Sequence, residues 1–141
     1  MSGRARTASV VAVASALAAA LLIALPAAPA AAATPKCNIA MVWTNSAGVD
    51  VFLAGYDGTW TPDCLMSQGD VGNDVAEMQD SLNRCYGEHL ALDRAFGPLT
   101  RAALVRTQKK VKVTADGVYG PKTRRAMKHR RVGGGGCASS L

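Results

Sequence analysis

The sequence is poor in the residues that build metal sites and nucleophilic sites. It has only two histidines, His89 and His129, and it contains neither a Cys-x-x-Cys nor a His-x-x-x-His spacing. Zinc sites usually need such closely spaced ligands, so we expect no metal and no cofactor. Catalysis by a cysteine would need a free thiolate beside a histidine, and catalysis by paired carboxylates would have to use Asp93 and Asp116.

The sequence also lacks an apolar run long enough to cross a membrane as a retained helix. The run from Val10 to Leu25 has about 16 residues, fewer than the ~20 that a membrane span needs. Arg4 and Arg6 precede it, and small residues ending at Ala33 follow it. This order is typical of an export signal, so we predict a signal peptide over residues 1–33 and a secreted chain that is extracellular or associated with the cell wall.

All four cysteines follow the predicted cleavage point, and an even number in an exported chain predicts two disulfides. Three pairings are possible. We favour Cys37–Cys64, which would close the N-terminal segment on itself, and Cys85–Cys137, which would tie the C-terminal tail back. Each would contribute about 3–4 kcal/mol in the loop-entropy model.

Charge is distributed unevenly along the predicted secreted chain. Residues 34–83 carry seven acids against Lys36, whereas residues 84–141 carry thirteen lysines and arginines against three acids. A basic half is either a solvated face or a surface for an anionic partner. Export disfavours nucleic acid, which leaves anionic wall polymers and membrane surfaces, and we expect no stable membrane insertion once the signal is cleaved.

Residues 37–64 are rich in strand-forming residues. We predict short strands at 41–43, 49–53 and 59–60, separated by turns at 45–48 and 56–58. They would form a β-hairpin held between Cys37 and Cys64.

Three helices are predicted after Gly69. Val75, Met78 and Leu82 share one helical face, Asn73 or Asp74 can cap the start of that helix, and Gly87 should end it. Further helices should run from Pro98 to about Lys110 and from Pro121 to about Arg131. In the second of these, Ala102, Ala103, Leu104 and Thr107 should face inward. Gly133–Gly136 should then leave a flexible tail that carries Cys137.

An eight-residue pattern, Asp-x-x-aromatic-Gly-Pro-x-Thr, occurs twice at a spacing of 23 residues. Its aspartates can hold turns, its aromatic rings can fill the core, and each Gly-Pro pair can lead into a helix. The structural residues of this motif are Asp93, Phe96, Gly97, Pro98, Thr100, Asp116, Gly117, Gly120, Pro121 and Thr123.

With these loops, residues 69–131 resemble the peptidoglycan-binding-like domain family. The matching positions include Gly69, Gly72, Val75, Gln79, Leu82, both loops, Ala103, Leu104 and Gln108. The resemblance implies a mainly α fold, a small three-helix bundle with a disulfide-closed β-hairpin as an N-terminal extension. The predicted domains are the signal at 1–33, the extension at 34–68, the bundle at 69–131 and the Gly-rich, Cys-bearing tail at 132–141. The Cys85 segment and this tail also resemble a secreted, disulfide-containing branch of the family.

Three positions depart from the family pattern. Met78 replaces a leucine, which a core tolerates. Arg94 replaces a glycine, so that turn either has a less strict backbone angle or places a charge at the surface. Thr107 replaces a phenylalanine, which would leave a cavity unless Trp43, Phe52 or Trp60 of the hairpin fills it.

The resemblance implies binding of peptidoglycan or its stem peptides without catalysis. Arginine and lysine can pair with stem-peptide carboxylates, and glutamine can bond amides. The candidate ligand-binding residues are Gln79, Arg94, Arg101, Gln108, Tyr119, Lys122 and Arg124. The alternative is a secreted interaction protein, such as an inhibitor or partner of a wall hydrolase, that uses the module as a scaffold and the hairpin as its working surface.

Overall fold

The computed structural model describes residues 32–141. The predicted export signal lies outside the described residues except for Ala32 and Ala33. No helix in the described part is long and apolar enough to cross a membrane.

The predicted N-terminal hairpin is present. Strands β1 (Ile39–Thr44) and β2 (Asp50–Gly55) pair antiparallel, with Ile39 opposite Gly55 and Thr44 opposite Asp50. The side-chain oxygen of Asn45 accepts bonds from the amides of Ala47 and Val49, which fixes the tight connection between the strands. The predicted strand at residues 59–60 is wrong, because those residues lie in a turn. A β-bridge between Tyr56 and Thr61 closes this turn.

Two helices of 14 and 13 residues follow, close to their predicted bounds. Helix α1 (Asn73–Tyr86) buries Val75, Met78 and Leu82. Its C-cap residue, Gly87, has a φ of 74°. Its N-terminus differs from the prediction, since Gly72 is the cap and no side chain bonds the first turn. Helix α2 (Pro98–Lys110) begins at its proline and buries Ala103, Leu104 and Thr107, while Ala102 stays half-buried.

The C-terminal region differs most from the prediction. Helix α3 (Pro121–Ala126) stops before Met127, whose backbone is extended, and does not reach Arg131. Strand β3 (Lys128–Arg130) follows and pairs antiparallel with strand β4 (Cys137–Ser139). The tail is therefore structured. The Val132 amide also donates to the Asp50 carbonyl at 3.0 Å, so this second hairpin joins the first residue of β2.

These strands overturn the predicted fold class. Helices make up 30% of the described residues, and strands counted together with isolated β-bridges make up 25%. The structure therefore has three short helices and two small antiparallel sheets and is not a mainly α three-helix bundle. The periodicity of the helices was visible in the sequence, but a three-residue strand that a disulfide holds in place leaves almost no local signal.

The core consists of two clusters. The first includes Val75, Met78, Leu82, Phe96, Leu104, Tyr119 and Met127, together with the Cys37–Cys64 disulfide. The second lies on the N-terminal hairpin and includes Met41, Val51 and Leu53, with Trp43 and Ala138 packed against them. None of the three aromatic residues proposed to fill the space at Thr107 belongs to the first cluster: Trp60 is 69% exposed, Trp43 joins the second cluster, and Phe52 lies under Arg130.

The two disulfides have the pairing that the sequence favours. Cys37–Cys64 closes a segment of 27 residues around the hairpin, and Cys85–Cys137 joins the end of α1 to β4 across 52 residues.

Candidate functional site

The first loop, residues 93–100, is organised by one buried glutamine from α1. Gln79 is 1% exposed, and its side-chain nitrogen lies 2.8 Å from an Asp93 carboxylate oxygen, 3.0 Å from the Ala95 carbonyl and 3.1 Å from the Thr100 hydroxyl. Its side-chain oxygen accepts from the Arg94 amide at 3.3 Å. The Gln79 and Ala95 nitrogens that donate to Asp93 hold the pKa of that carboxyl below its ordinary value.

The second loop, residues 116–123, repeats this arrangement around Gln108 of α2. The Gln108 nitrogen lies 2.9 Å from Asp116, 3.0 Å from the Val118 carbonyl and 3.1 Å from the Thr123 hydroxyl, and its oxygen accepts from the Gly117 amide at 2.9 Å. The sequence repeat is thus also a repeat of hydrogen bonds. A buried amide whose donors and acceptor all have partners fixes its loop and is not free to bond a ligand.

Residues 66–70 connect the two loops. Met66 and Tyr119 exchange two backbone hydrogen bonds of 2.8 Å, and Phe96 accepts from Gly69 and donates to Asp70, each at 2.9 Å. Phe96 and Tyr119 are both 1% exposed. They anchor the loops in the first core cluster, as the sequence predicts for the motif's aromatic position.

Each loop lines a cleft at its outer side. The first cleft has a volume of about 240 Å³ and the second about 460 Å³. Both contain the same motif positions: the Asp, the residue two places later, the Gly-Pro pair, the residue after it and the Thr. The clefts differ where the repeat differs, because Leu99 of the first corresponds to Lys122 of the second.

The second cleft combines apolar walls with positive charge. Leu65, Val113 and Val118 contribute apolar surface, and Lys122 and Arg125 contribute cations. Arg125 also pairs with Asp63 at 2.6 Å, which leaves Lys122 as the cation of this cleft that has no ion pair in the described residues.

The structure places the predicted ligand-binding residues in two groups. Arg94, Arg101 and Lys122 are exposed. Of these, Lys122 lines the second cleft, and Arg101 lies beside it with its guanidinium donating to the Asp116 carbonyl at 3.1 Å. Gln79, Gln108, Tyr119 and Arg124 are buried and organise the fold, so their side chains are not accessible to a wall polymer.

Arg124 illustrates why charge in the sequence is a poor guide to exposure. It is 5% exposed, pairs with Asp63 at 2.8 Å and donates to the Ser140 hydroxyl at 2.9 Å. Its carbonyl lies 2.9 Å from Nε2 of His129. Burial lowers the pKa of His129 to about 4, so the ring is neutral near pH 7 and donates its Nε2 proton to this carbonyl. A buried guanidinium that is paired and hydrogen-bonded ties α3 to the C-terminus.

Four further residues line the second cleft and are not among the predicted site residues: Thr34, Leu65, Val113 and Arg125. Arg125 could have been found, since it lies one helical turn after Pro121 in the motif. The others come from loops, and no pattern in the sequence places them beside α3.

All four cysteines are oxidised, and residues 32–141 contain no group of three or more His, Cys, Asp or Glu side chains placed to hold a metal.

The two loops and their helices lie within a region that matches a known family. Residues 71–127 match the family model described as "Putative peptidoglycan binding domain". The chain is 37% identical over 105 residues to the zinc D-Ala-D-Ala carboxypeptidase of Streptomyces albus G, and the match covers 73% of this chain but only 40% of that protein. A crystal structure of a peptidoglycan-binding protein from Clostridioides difficile, in complex with glutamine hydroxamate, is 27% identical, with a TM-score of 0.46. The match covers 60% of this chain and 53% of that one.

Two helices that each hold the following loop by a buried glutamine define a repeated helix-loop module. Residues 71–127, which contain this module, belong to the peptidoglycan-binding domain family.

Proposed function

We propose that the protein is a secreted, non-catalytic protein that binds peptidoglycan through the second cleft. The family of residues 71–127 supports peptidoglycan as the polymer. We choose the second cleft because it combines apolar walls with a lysine, Lys122, that has no ion pair in the described residues. The residues of the family motif build this cleft.

The second cleft suits a stem peptide chemically. Stem peptides offer carboxylates, amides and small methyl groups. Lys122 and Arg125 can pair with a carboxylate, Thr34 and Thr114 can bond an amide, and Val113 can contact a methyl group. Asp116 does not oppose an anion as strongly as a free carboxylate would, because Gln108 and the Val118 amide already donate to it. One shallow cleft should bind in the micromolar to millimolar range, about −8 to −4 kcal/mol.

Secretion is supported by the disulfides and by the predicted signal. Structural disulfides persist in oxidising compartments, and this chain of 141 residues has two. Absence of catalysis is supported by the positions of the reactive groups. The thiols are oxidised, His129 is buried and neutral, and Asp93 and Asp116 are each bound by a glutamine and a backbone amide.

The test is co-sedimentation of the oxidised protein with purified insoluble cell wall. The variant Lys122→Glu/Arg125→Glu should lose at least about tenfold in affinity, because it places two negative charges where a carboxylate would bind. The matched control is Lys109→Glu/Lys128→Glu, which makes the same change of net charge at exposed lysines that do not line the cleft.

Equal loss of binding in both variants would show simple charge attraction and contradict the proposed site. Binding by the wild type that disappears at high salt would do the same. Clearing of wall material in a zymogram would contradict the absence of catalysis.

The second candidate is an interaction protein that works through the N-terminal hairpin. The observation that favours it is Trp60, which is 69% exposed and held at a φ of 47° in the turn after β2. An exposed aromatic residue in a strained backbone conformation is often a contact residue. If Trp60→Ala abolishes wall sedimentation while the Lys122 and Arg125 variant keeps it, this candidate replaces the first.

A further inference from the structure

We propose that a third cleft, lined by Arg84, Arg130, Arg131 and Gly134–Gly136, binds a phosphate group. Its volume is about 280 Å³, and it shares no residue with the second cleft. The inference therefore does not rest on the proposed peptidoglycan site. The cleft is built from the end of α1, strand β3 and the glycine loop that joins β3 to β4.

Two of the three arginines are held in place by carboxylates of α1. Arg84 lies 2.7 Å from Asp80, and Arg130 lies 2.6 Å from Asp80 and 3.2 Å from Glu77. The ring of Phe52 also lies 3.9 Å below the Arg130 guanidinium. Arg130 is thus fixed by two carboxylates and an aromatic face, and its Nε and Nη2 already donate to these carboxylates. It therefore supplies positive charge at a fixed position, while the paired donors for an anion would come from Arg84 and Arg131.

The third arginine leaves the cleft with an unbalanced charge. Arg131 is exposed and has no ion pair within residues 32–141, so three guanidinium groups face only Glu77 and Asp80. The excess of one positive charge is what an incoming anion would neutralise. Guanidinium groups bind phosphate through paired N–H donors, which suits a tetrahedral oxyanion with several acceptor oxygens.

The glycine loop adds backbone donors beside these arginines. Gly133–Gly136 all have φ between 79° and 105°, although a Cβ at any of them would meet no atom within 4 Å. Glycine is thus needed for the backbone conformation and not for space. The amides of Gly134–Gly136 have no hydrogen-bond partner in the described part of the chain, so they remain available to an anion. Successive free amides in such turns form concave anion sites.

The Cys85–Cys137 disulfide fixes the relative position of the two halves of the cleft. Cys85 is adjacent to Arg84, and Cys137 is adjacent to Gly136. The glycine loop therefore stays beside the α1 arginine while the disulfide is intact.

Inorganic phosphate is the direct probe. Titrating ¹⁵N-labelled, oxidised protein with phosphate at constant ionic strength should shift the amide signals of Gly134–Gly136 in a saturable way, whereas chloride should not. Arg131→Gln and, separately, Arg84→Gln should each weaken this binding by about tenfold. The matched control is Lys109→Gln, which removes an exposed cation outside the cleft and should leave the titration unchanged.

A second measurement distinguishes the source of the phosphate group. Cell walls that carry phosphodiester polymers should retain more wild-type protein than walls stripped of those polymers, and Arg131→Gln should remove the difference. If stripping changes nothing while the titration still saturates, the ligand is free phosphate.

The proposal would be overturned if phosphate shifted the amide signals of all exposed lysines, or if chloride shifted the amide signals of Gly134–Gly136 equally. So would an Arg131→Gln variant that keeps native spectra and unchanged phosphate affinity. The Lys122→Glu/Arg125→Glu variant should bind phosphate like the wild type, so failure of one proposed site can be told from failure of the other.

Discussion

Arg94 and Gly117 occupy equivalent positions in the two loops and have nearly the same backbone conformation. Their φ values are 63° and 73°, and each amide donates to the buried glutamine of its repeat. Of the two alternatives for Arg94, a less strict backbone angle is therefore wrong, whereas a charge at the surface is confirmed, because the arginine is exposed. Arg94 adopts the glycine conformation, at a cost of about 1 kcal/mol relative to glycine.

This equivalence predicts opposite effects of exchanging the two residue types. Arg94→Gly should leave stability unchanged or raise it by up to about 1 kcal/mol, since it removes strain but loosens the unfolded chain. Gly117→Ala should lower stability by about 1–2 kcal/mol, because its Cβ would lie 2.8 Å from Cγ of Arg101 in a left-handed conformation. Urea unfolding monitored by circular dichroism measures both.

Gly97→Ala is the control for this exchange. Gly97 has a φ of −85°, and a Cβ there would meet no atom within 4 Å, so alanine should be tolerated. Destabilisation by Arg94→Gly of more than 1 kcal/mol would show that the arginine side chain, and not the loop backbone, is what the first repeat needs.

Two residues of the site, Gln79 and Gln108, show what the sequence alone could not predict. The sequence places Gln79 and Gln108 on their helices, and glutamine can bond amides, so both are predicted as ligand contacts. Their burial depends on hydrogen bonds to loops 14 and 8 residues later in the chain. Such partners become visible only once the helices and loops are placed together.

At the scale of the elements, prediction succeeded where a pattern repeats over several turns. Helix α1 presents Val75, Met78 and Leu82 on one face, and α2 begins at a proline, so both could be placed closely. Helix α3 has only six residues, and the chain after it becomes a strand that buries His129. No periodicity can be read from a three-residue strand whose pairing depends on residues 137–139.

The disulfide beside that strand should decide whether β4 stays paired. Replacing Cys85 and Cys137 with serine removes a cross-link over 52 residues, which the loop-entropy model values at about 4 kcal/mol. We expect guanidinium unfolding to show a loss of that order. We also expect the amides of β4 to lose hydrogen-exchange protection before those of α1.

The matched variant is Cys37→Ser/Cys64→Ser, which removes the cross-link over 27 residues. It should cost a similar energy but leave β4 protected. If β4 stays protected in both variants, the hydrogen bonds to β3 and the contact of Ala138 with the second core cluster hold the tail without the disulfide.

At the scale of the whole molecule, the N-terminal hairpin packs against the rest of the protein and shares both core clusters with it. Ala54 of β2 belongs to the first core cluster, and Ala138 of β4 packs against the second. Val51 also bridges to Arg131, so β2 connects the N-terminal and C-terminal sheets. The proposed boundary between residues 34–68 and 69–131 stays a prediction, and these contacts cross it.

Removing residues 34–64 tests how far the rest of the chain depends on the hairpin. The deletion removes both cysteines of one disulfide and the buried side chains of Met41, Val51 and Leu53. Each fully buried side chain of this size contributes about 1.5–3 kcal/mol to the free energy of unfolding. A loss of 1 kcal/mol lowers the Tm by roughly 4–8 °C in a domain of this size. We therefore expect the deletion to lower the Tm by more than about 20 °C. Differential scanning calorimetry of the oxidised proteins measures this fall in Tm.

Two variants serve as controls for the deletion. The Cys37→Ser/Cys64→Ser variant gives the part of the Tm change that is due to the disulfide alone. Val42→Thr changes the exposed face of β1 and should leave the Tm within a few degrees. An unchanged Tm after the deletion would mean that the helices and the C-terminal hairpin fold without β1 and β2, and that the contacts across the boundary contribute no stability.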